Sequence, residues 1–516
     1  MLRVFWVGVV LGTPVWSLVA AEPNGLVHLQ VIDDGERRLV PARVHLTDPS
    51  DKPVKVPGLP FYRDHFNCDG EVVIELSPGK YRFTVERGPE YDGVEGDLDV
   101  KSGKTTNRKV FLTRLLKLSG LGWYSGDLHI HRPLDDVPLL IESEDLNIAP
   151  VLTVWNQRNR WRDRPLPKKL LNPLGENRWI HQLACEDERQ GGALLYLNVE
   201  TPLDFEGDGS EFPSPLKHLR VARDTDGVWI DIEKPFWWDV PTWLATGRID
   251  SIGIANNHMC RKRMYPDEAW GRPRDVDRLP SPRGNGFYSQ ELYYRILDCG
   301  FKVPPSAGSA SGVLPNPIGY NRVYVHLDEP FTYQAWWRGL RAGRSFVTNG
   351  PLLLVRVDGR HPGETFKIAA GERFKPSVDV QVFSSDPLES LEIVVNGVVV
   401  RRVERPVSGE TLSLAGVEFD RSGWVLVRCI ADVANTFRFA STAPFFVDIE
   451  STPPRIDPED VQFFIDWIRE RKKRISEGAT ETIGDLSQSE NAARLRSVMG
   501  PHDEALRIFE RLLKSS

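Results

Sequence analysis

Trp123-Tyr124-Ser125-Gly126-Asp127-Leu128-His129-Ile130-His131 is the stretch on which the reading of this chain turns. Asp127, His129 and His131 alternate with Leu128 and Ile130, so on an extended strand the polar side chains share one face and the apolar pair anchors the other. Two imidazoles one residue apart on a stiff strand are partly preorganised for a cation, and imidazole with carboxylate suits zinc, manganese or iron. A surface strand whose histidines bind nothing has the same local pattern, and the surroundings must separate the two.

Working outward, residues 117 to 350 are expected to alternate strand and helix. Asp135 and Asp136 can cap a helix carrying Leu139, Leu140 and Ile141, and Ile148 to Trp155 reads as a buried strand. Further strands are expected at Ala193 to Val199, Ser251 to Ala255 and Arg322 to His326. A β/α barrel or doubly wound sheet follows, and its ligands gather at the carboxyl ends of strands. Polar residues recur at those ends: Asn156-Gln157, Asn198 and Glu200, Asn256-Asn257-His258, and Ser306 to Ser311. The tryptophan pairs at 237–238 and 336–337 can stack on a sugar or pack loops onto the barrel. Arg261, Lys262 and Arg263 can face an anionic substrate or solvent.

Residues 22 to 116 read as short strands separated by turns, a small β-sandwich, with Ser77-Pro78-Gly79 as one turn. Residues 351 to 450 read as a second sandwich, in which Asn396-Gly397 is a two-residue hairpin signal. The tail, 451 to 516, is helical: Asp457 caps a helix that begins at Pro458 and carries Val461, Phe464, Ile465 and Ile468, with Arg471 to Arg474 at its negative end. A second helix is expected from Asp503 to Leu513, burying Leu506 and Phe509.

With 516 residues, 41% hydrophobic and 27% charged, and a net charge of -7, the chain has the make-up of a globular protein of several domains and not of a nucleic-acid binder. An apolar run from Val4 to Val19 after Arg3, then Ala20-Ala21 before Glu22-Pro23, reads as a secretory signal cleaved after Ala21. The run is shorter than the roughly 20 residues a spanning helix needs. Export into the periplasm or outside the cell is therefore expected, with no transmembrane segment in the mature chain. The five cysteines are scattered without a Cys-x-x-Cys pair and do not form a disulfide framework.

The central segment resembles the CehA/McbA family of exported metallohydrolases, within the polymerase and histidinol phosphatase superfamily. Carrying the likeness are Gly126-Asp127-Leu128-His129-Ile130-His131, Trp237-Trp238-Asp239-Val240-Pro241, Ala255-Asn256-Asn257-His258, the run from Pro304 to Gly312, Gly319-Tyr320-Asn321-Arg322-Val323-Tyr324-Val325 and Leu340-Arg341-Ala342-Gly343-Arg344. Pro78-Gly79-Lys80-Tyr81 likewise resembles the strand-entry turn of transthyretin-like, carboxypeptidase-regulatory modules. The resemblance implies a distorted seven-stranded β/α barrel, flanked here by two sandwiches and the helical tail, with metal at its mouth and hydrolysis by metal-activated water.

Carried over by position, the resemblance implies His129, His131, Glu200 and His258 as metal ligands. The family's Thr-Asp-His-Asn motif stands here as Thr153-Val154-Trp155-Asn156, and its closing Asp-x-His as Ser309-Ala310-Ser311. One divalent ion (zinc, manganese or iron) is therefore expected in place of two or three. Asp127 or Asp239 would orient a ligand or accept a proton, and Arg261 would stabilise developing negative charge. The expected activity is hydrolysis of an ester, amide or phosphoester in a small molecule or extracellular polymer. The alternative is an inactive extracellular scaffold that binds polysaccharide.

Overall fold

Alternating apolar residues such as Val27, Leu29 and Val31 bury one face of the first strand, Gly25–Asp33, and the same period-two pattern organises two sheets around it. One sheet runs Glu71–Leu76, Gly25–Asp33, Thr105–Leu112; the other joins Ala42–Thr47, His65–Cys68, Gly79–Glu86 and Val94–Val100 with the short Phe61–Tyr62. The computed structural model describes residues 23–205, 211–415, 417–450, 452–481 and 488–515. The expected export segment, residues 1 to 21, lies outside the described residues. No helix among the described residues is long and apolar enough to cross a membrane.

The central region closes a ring of backbone pairings. Ile148–Trp155 lies parallel to the 123–131 segment and to Trp179–Arg189. Gly192–Leu197 runs antiparallel between Trp179–Arg189 and Trp229–Ile232, and Ser251–Ala255 and Pro305–Ala307 then follow in parallel. The ring shuts where Leu128 N donates to Ala307 O at 3.0 Å and His131 N to Ser311 O at 2.8 Å. Gly308 permits that closure, since a Cβ there would stand 2.4 Å from the His129 Cβ.

The expected strand–helix alternation is only partly present. Helices occupy Val137–Ser143, Leu216–Arg223, Val240–Ala245, Gly284–Asp298 and Tyr333–Arg341, but a hairpin joins Trp179–Arg189 to Gly192–Leu197 and short strands fill the chain before it. Val137–Ser143 begins after Asp136 without a side-chain cap bond, because Asp136 itself has helical backbone angles. Trp237, Trp238 and Trp336 are buried in the core of this region, so both tryptophan pairs pack and do not present stacking faces.

The C-terminal sandwich holds one three-stranded sheet, Leu352–Val357, Val378–Phe383, Thr411–Leu414, and a larger sheet that continues into the barrel through Ser345–Thr348 and Arg322–His326. Asn396 (φ 47°) and Gly397 (φ 79°) make the expected hairpin turn. Glu459 N donates to Asp457 Oδ1 at 3.0 Å, the expected cap of helix Pro458–Glu481. This helix extends past Arg471, whose guanidinium is buried against Asp239 at 2.7 Å and paired with Glu211, so Arg471 serves as a tertiary contact and not as a charge at a helix end. The last helix runs Gln488–Ser515, starting well before Asp503, and Phe509 is buried against Phe464. All five cysteines are buried and unpaired.

Candidate metal centre

His129 and His131 sit just past the first strand of the ring and point inward, where Glu186 meets them from the strand Trp179–Arg189. The two Nε2 atoms are 2.9 Å apart. Glu186 Oε2 stands 3.1 Å from the Nε2 of His131 and 3.6 Å from that of His129. That oxygen is buried and has no hydrogen bond, an orphaned acceptor of the kind that a buried cation relieves. Burial raises the Glu186 carboxyl, but the two imidazoles outweigh it and hold it well below the ordinary carboxylate range. Burial likewise opposes charge on His129, and the facing carboxylates reverse the balance and raise it.

A second layer fixes the ring of His129. Its Nδ1 lies 3.3 Å from Glu233 Oε1. Glu233 in turn accepts from Asn257 Nδ2 and Lys234 Nζ, both at 2.5 Å, and from Trp237 Nε1 at 3.0 Å. A carboxylate so held favours a proton on Nδ1 and so turns Nε2 toward Glu186, the orientation of a metal-ligating histidine. Asn156 holds the opposite strand: at φ 50° its Oδ1 accepts from Glu188 N at 2.7 Å, and its own N–H donates to Glu186 O at 2.9 Å.

The expected ligand set is thus brought together in part. Glu200 is exposed beyond the end of its strand, and the carboxylate that reaches the imidazoles is Glu186. His258 is buried between Phe236 and Tyr265, with Nδ1 3.1 Å from Asp267 O, and is not among the groups whose ligand atoms converge within 4.8 Å. Burial, then the charge of Lys234, pushes it far below the usual imidazole range, so it is a neutral packing residue. Three ligands therefore converge in place of the expected four.

The expected catalytic roles move as well. Asp127 accepts the backbone N–H groups of His129 and Ser309 at 3.0 Å each and that of Gly319 at 2.7 Å, together with the Ser309 hydroxyl. It therefore positions the His129 backbone and the closing loop, and its oxygens are already occupied. Asp239 pairs with Arg471 and lies 3.8 Å from His502 Nε2, a tie to the helical tail. Arg261 is 2.8 Å from Glu86 of the N-terminal sandwich and joins two domains.

Sequence reasoning missed Glu186 and Glu188. They stand two apart at the end of a buried strand, the same period-two signal that singled out His129 and His131, but the run Glu186-Asp187-Glu188 reads as solvated charge. Glu188 accepts from Trp155 Nε1 at 2.9 Å, and burial followed by the charges of Glu186 and Glu233 pushes it up to about 7. Trp155 packs on His131 with ring centroids 5.1 Å apart.

His131 also lines a surface cleft of about 510 Å³ together with Arg132, Trp155, Arg158 and Arg160. Among the described residues no carboxylate forms an ion pair with Arg158 or Arg160, and Arg132 reaches only Asp136, at 3.4 Å. The mouth is cationic and undercompensated, which favours an approaching anion.

No family model and no curated protein matches the chain. Among solved structures, the minor pilin GBS52 of Streptococcus agalactiae is similar at 17% identity over 19% of this chain and 47% of that one, with a TM-score of 0.16. The major pilin subunit BcpA of Bacillus cereus is similar at 19% identity over 18% of this chain and 30% of that one, with a TM-score of 0.14. The chain thus spans less than half of either pilin.

Proposed function

We propose that the chain is an exported metal-dependent hydrolase of the CehA/McbA type, in which His129, His131 and Glu186 hold one divalent ion. The observation that carries the reading is the buried, unbonded Glu186 oxygen beside two imidazole nitrogens at the carboxyl ends of strands that close a ring. Three protein ligands with an open position fit zinc, and manganese or iron accept the same donors. Such an ion lowers the pKa of bound water toward neutrality and so supplies the nucleophile.

The chain's own residues do the rest. Glu233 keeps Nε2 of His129 free for the ion, and Asp127 holds the backbone that carries both imidazoles. Glu188, two residues beyond Glu186 and anchored by Trp155, is the next carboxyl group on that face of the strand. Arg132, Arg158 and Arg160 draw an ester, amide or phosphoester with an anionic part into the cleft beside His131.

The test joins metal content to turnover of chromogenic acetate and phosphodiester esters by protein purified without chelator. Metal that is lost with turnover in both His129→Ala and Glu186→Gln supports the reading. Metal below about a tenth of an equivalent, or turnover indifferent to both substitutions, contradicts it.

A second reading has its own observation. Trp155 and Ser309 stand where the family motifs place ligands, and Ser309 is spent on Asp127. In that reading the barrel is an inactive scaffold for an extracellular polysaccharide. Bound metal without turnover, with retention on immobilised glycan, would favour it.

A further inference from the structure

His326 ends the strand Arg322–His326, and His361 lies in the loop that follows Leu352–Val357, so the two flank the expected boundary at residue 350. Their rings nevertheless stack, with centroids 3.6 Å apart and planes 21° apart, against the edge of Trp123. The imidazole of His326 is bonded to the Leu121 carbonyl, which as an acceptor takes an N–H. Its Nδ1 is buried, makes no hydrogen bond and stands 3.5 Å from Asp328 Oδ1. Nδ1 of His361 is likewise buried without a hydrogen bond. Two buried imidazole nitrogens left unsatisfied at this seam are destabilising unless something is bound there.

One nitrogen from each histidine and one Asp328 oxygen lie within 4.8 Å of one another. An ion about 2.0–2.1 Å from each nitrogen holds such nitrogens roughly 3.3 Å apart, inside that limit. Asp328 is exposed and borders a cleft of about 610 Å³, leaving the remaining coordination positions to water.

Four other charges line the cleft: Arg344, Arg356, Arg360 and Glu364. Arg344 is 3.4 Å from Asp328, Arg356 donates to Gly359 O at 2.9 Å, and Glu364 lines the wall. All three arginine side chains reach solvent, which screens them, and none hydrogen-bonds the unbonded nitrogens. Burial is the main cause that holds both imidazoles below their ordinary value, with Arg356 and Arg344 adding to it and Asp328 opposing it.

We propose that His326, Asp328 and His361 form a second transition-metal site, a zinc-class clamp that fastens the barrel to the C-terminal sandwich. The inference is independent of the hydrolase reading, since no residue of the first centre lines this cleft. Its role is mechanical: an ion shared across the seam resists separation of the two domains.

The probes are zinc and cobalt ions alone, with the full chain. Wild-type protein titrated with cobalt should develop visible absorption at about two equivalents, His361→Ala at about one, and His361→Ala/His129→Ala at none. Zinc should raise the melting temperature of wild type and of His129→Ala but not of His361→Ala. Asp328→Asn is an exposed substitution that leaves packing intact, and it should weaken the His361-dependent equivalent at least tenfold. If His361→Ala and Asp328→Asn both bind cobalt as wild type does, or if zinc raises the melting temperature of His361→Ala equally, the clamp does not exist. Loss of the His129-dependent equivalent alone would bear on the first centre and leave this one standing.

Discussion

Two clusters in this molecule have nearly the same composition and opposite wiring. In the N-terminal sandwich, Asp64 lies between His45 and His65 at 3.4 and 3.0 Å, which on residue types alone matches the barrel's His129, His131 and Glu186. The sandwich cluster is already spoken for. Arg43 Nε donates to His45 Nε2 at 3.1 Å, Lys262 reaches Asp64 at 2.7 Å, and Arg43 also pairs with Glu86 and Glu144. Those cations neutralise the carboxylates, and Asp64 already bonds His65 Nδ1, so the cluster joins sandwich to barrel even though the His45 Nδ1 that faces Asp64 makes no hydrogen bond. In the barrel the carboxylate oxygen is unbonded, and Lys234, whose charge acts on His129, is turned onto Glu233. Residue type proposes a metal site, and the bonds already made by its outward atoms decide it.

The largest expected effect separates the two. Glu186→Gln should cut metal affinity by more than about a hundredfold, beyond the 10–100-fold typical of losing an outer-layer partner, with turnover falling in step, while Asp64→Asn leaves both unchanged. Equilibrium dialysis against zinc reads the difference. Next in size, Arg43→Ala removes a nearly buried partner of Glu144 and should destabilise the first urea transition by about 3–5 kcal/mol, without altering metal content. A multidomain chain needs this read as a shift of one transition and not as a global free energy.

The seam also makes a prediction with pH. Glu90, buried where the sandwich meets the barrel, is pushed up to about 7 by burial and then by the charge of Asp145. Its folded-state value lies above that of an unfolded carboxyl, so its contribution to stability is full below about pH 4.5 and is lost as pH rises through about 7. Glu90→Gln should therefore gain on wild type between pH 5 and pH 8 by roughly 1–3 kcal/mol, followed by urea unfolding at both values. A difference that shrinks toward pH 8 would reverse the assignment.

Smaller effects sharpen the picture of the cleft. Arg158→Ala with Arg160→Ala should raise KM for an anionic ester about tenfold and leave a neutral ester nearly unchanged. Ser311→Ala should raise stability by about 1 kcal/mol, since its buried hydroxyl has no hydrogen-bond partner and its desolvation is uncompensated. A large loss there would show that the closing Ser309-Ala310-Ser311 segment does more than shut the ring.

The strands of both sandwiches and the pair of histidines could be read directly, because period-two burial and turn chemistry are local. Asn396-Gly397 and Asp457-Pro458 behave as their local chemistry dictates. The ligand carboxylate could not be read with the same ease. Glu186 lies 55 residues after His131, a spacing set by a hairpin and short strands where a helix was expected, and its acidic neighbours conceal its burial. Arg471 escaped for a related reason: only the docking of the tail shows that its charge is neutralised by Asp239 and Glu211 at a distance in sequence. Asp239 and Arg261 were assigned to chemistry because they border recognisable motifs, yet each is held by a partner from another domain.

The most direct test of the central claim is X-ray absorption at the zinc edge on His361→Ala protein loaded with one equivalent of zinc, with and without Glu186→Gln. Two imidazole nitrogens and a carboxylate oxygen at about 2.0–2.2 Å, with the oxygen contribution lost and affinity reduced in Glu186→Gln, are predicted. A zinc environment that is the same in both proteins would contradict the account.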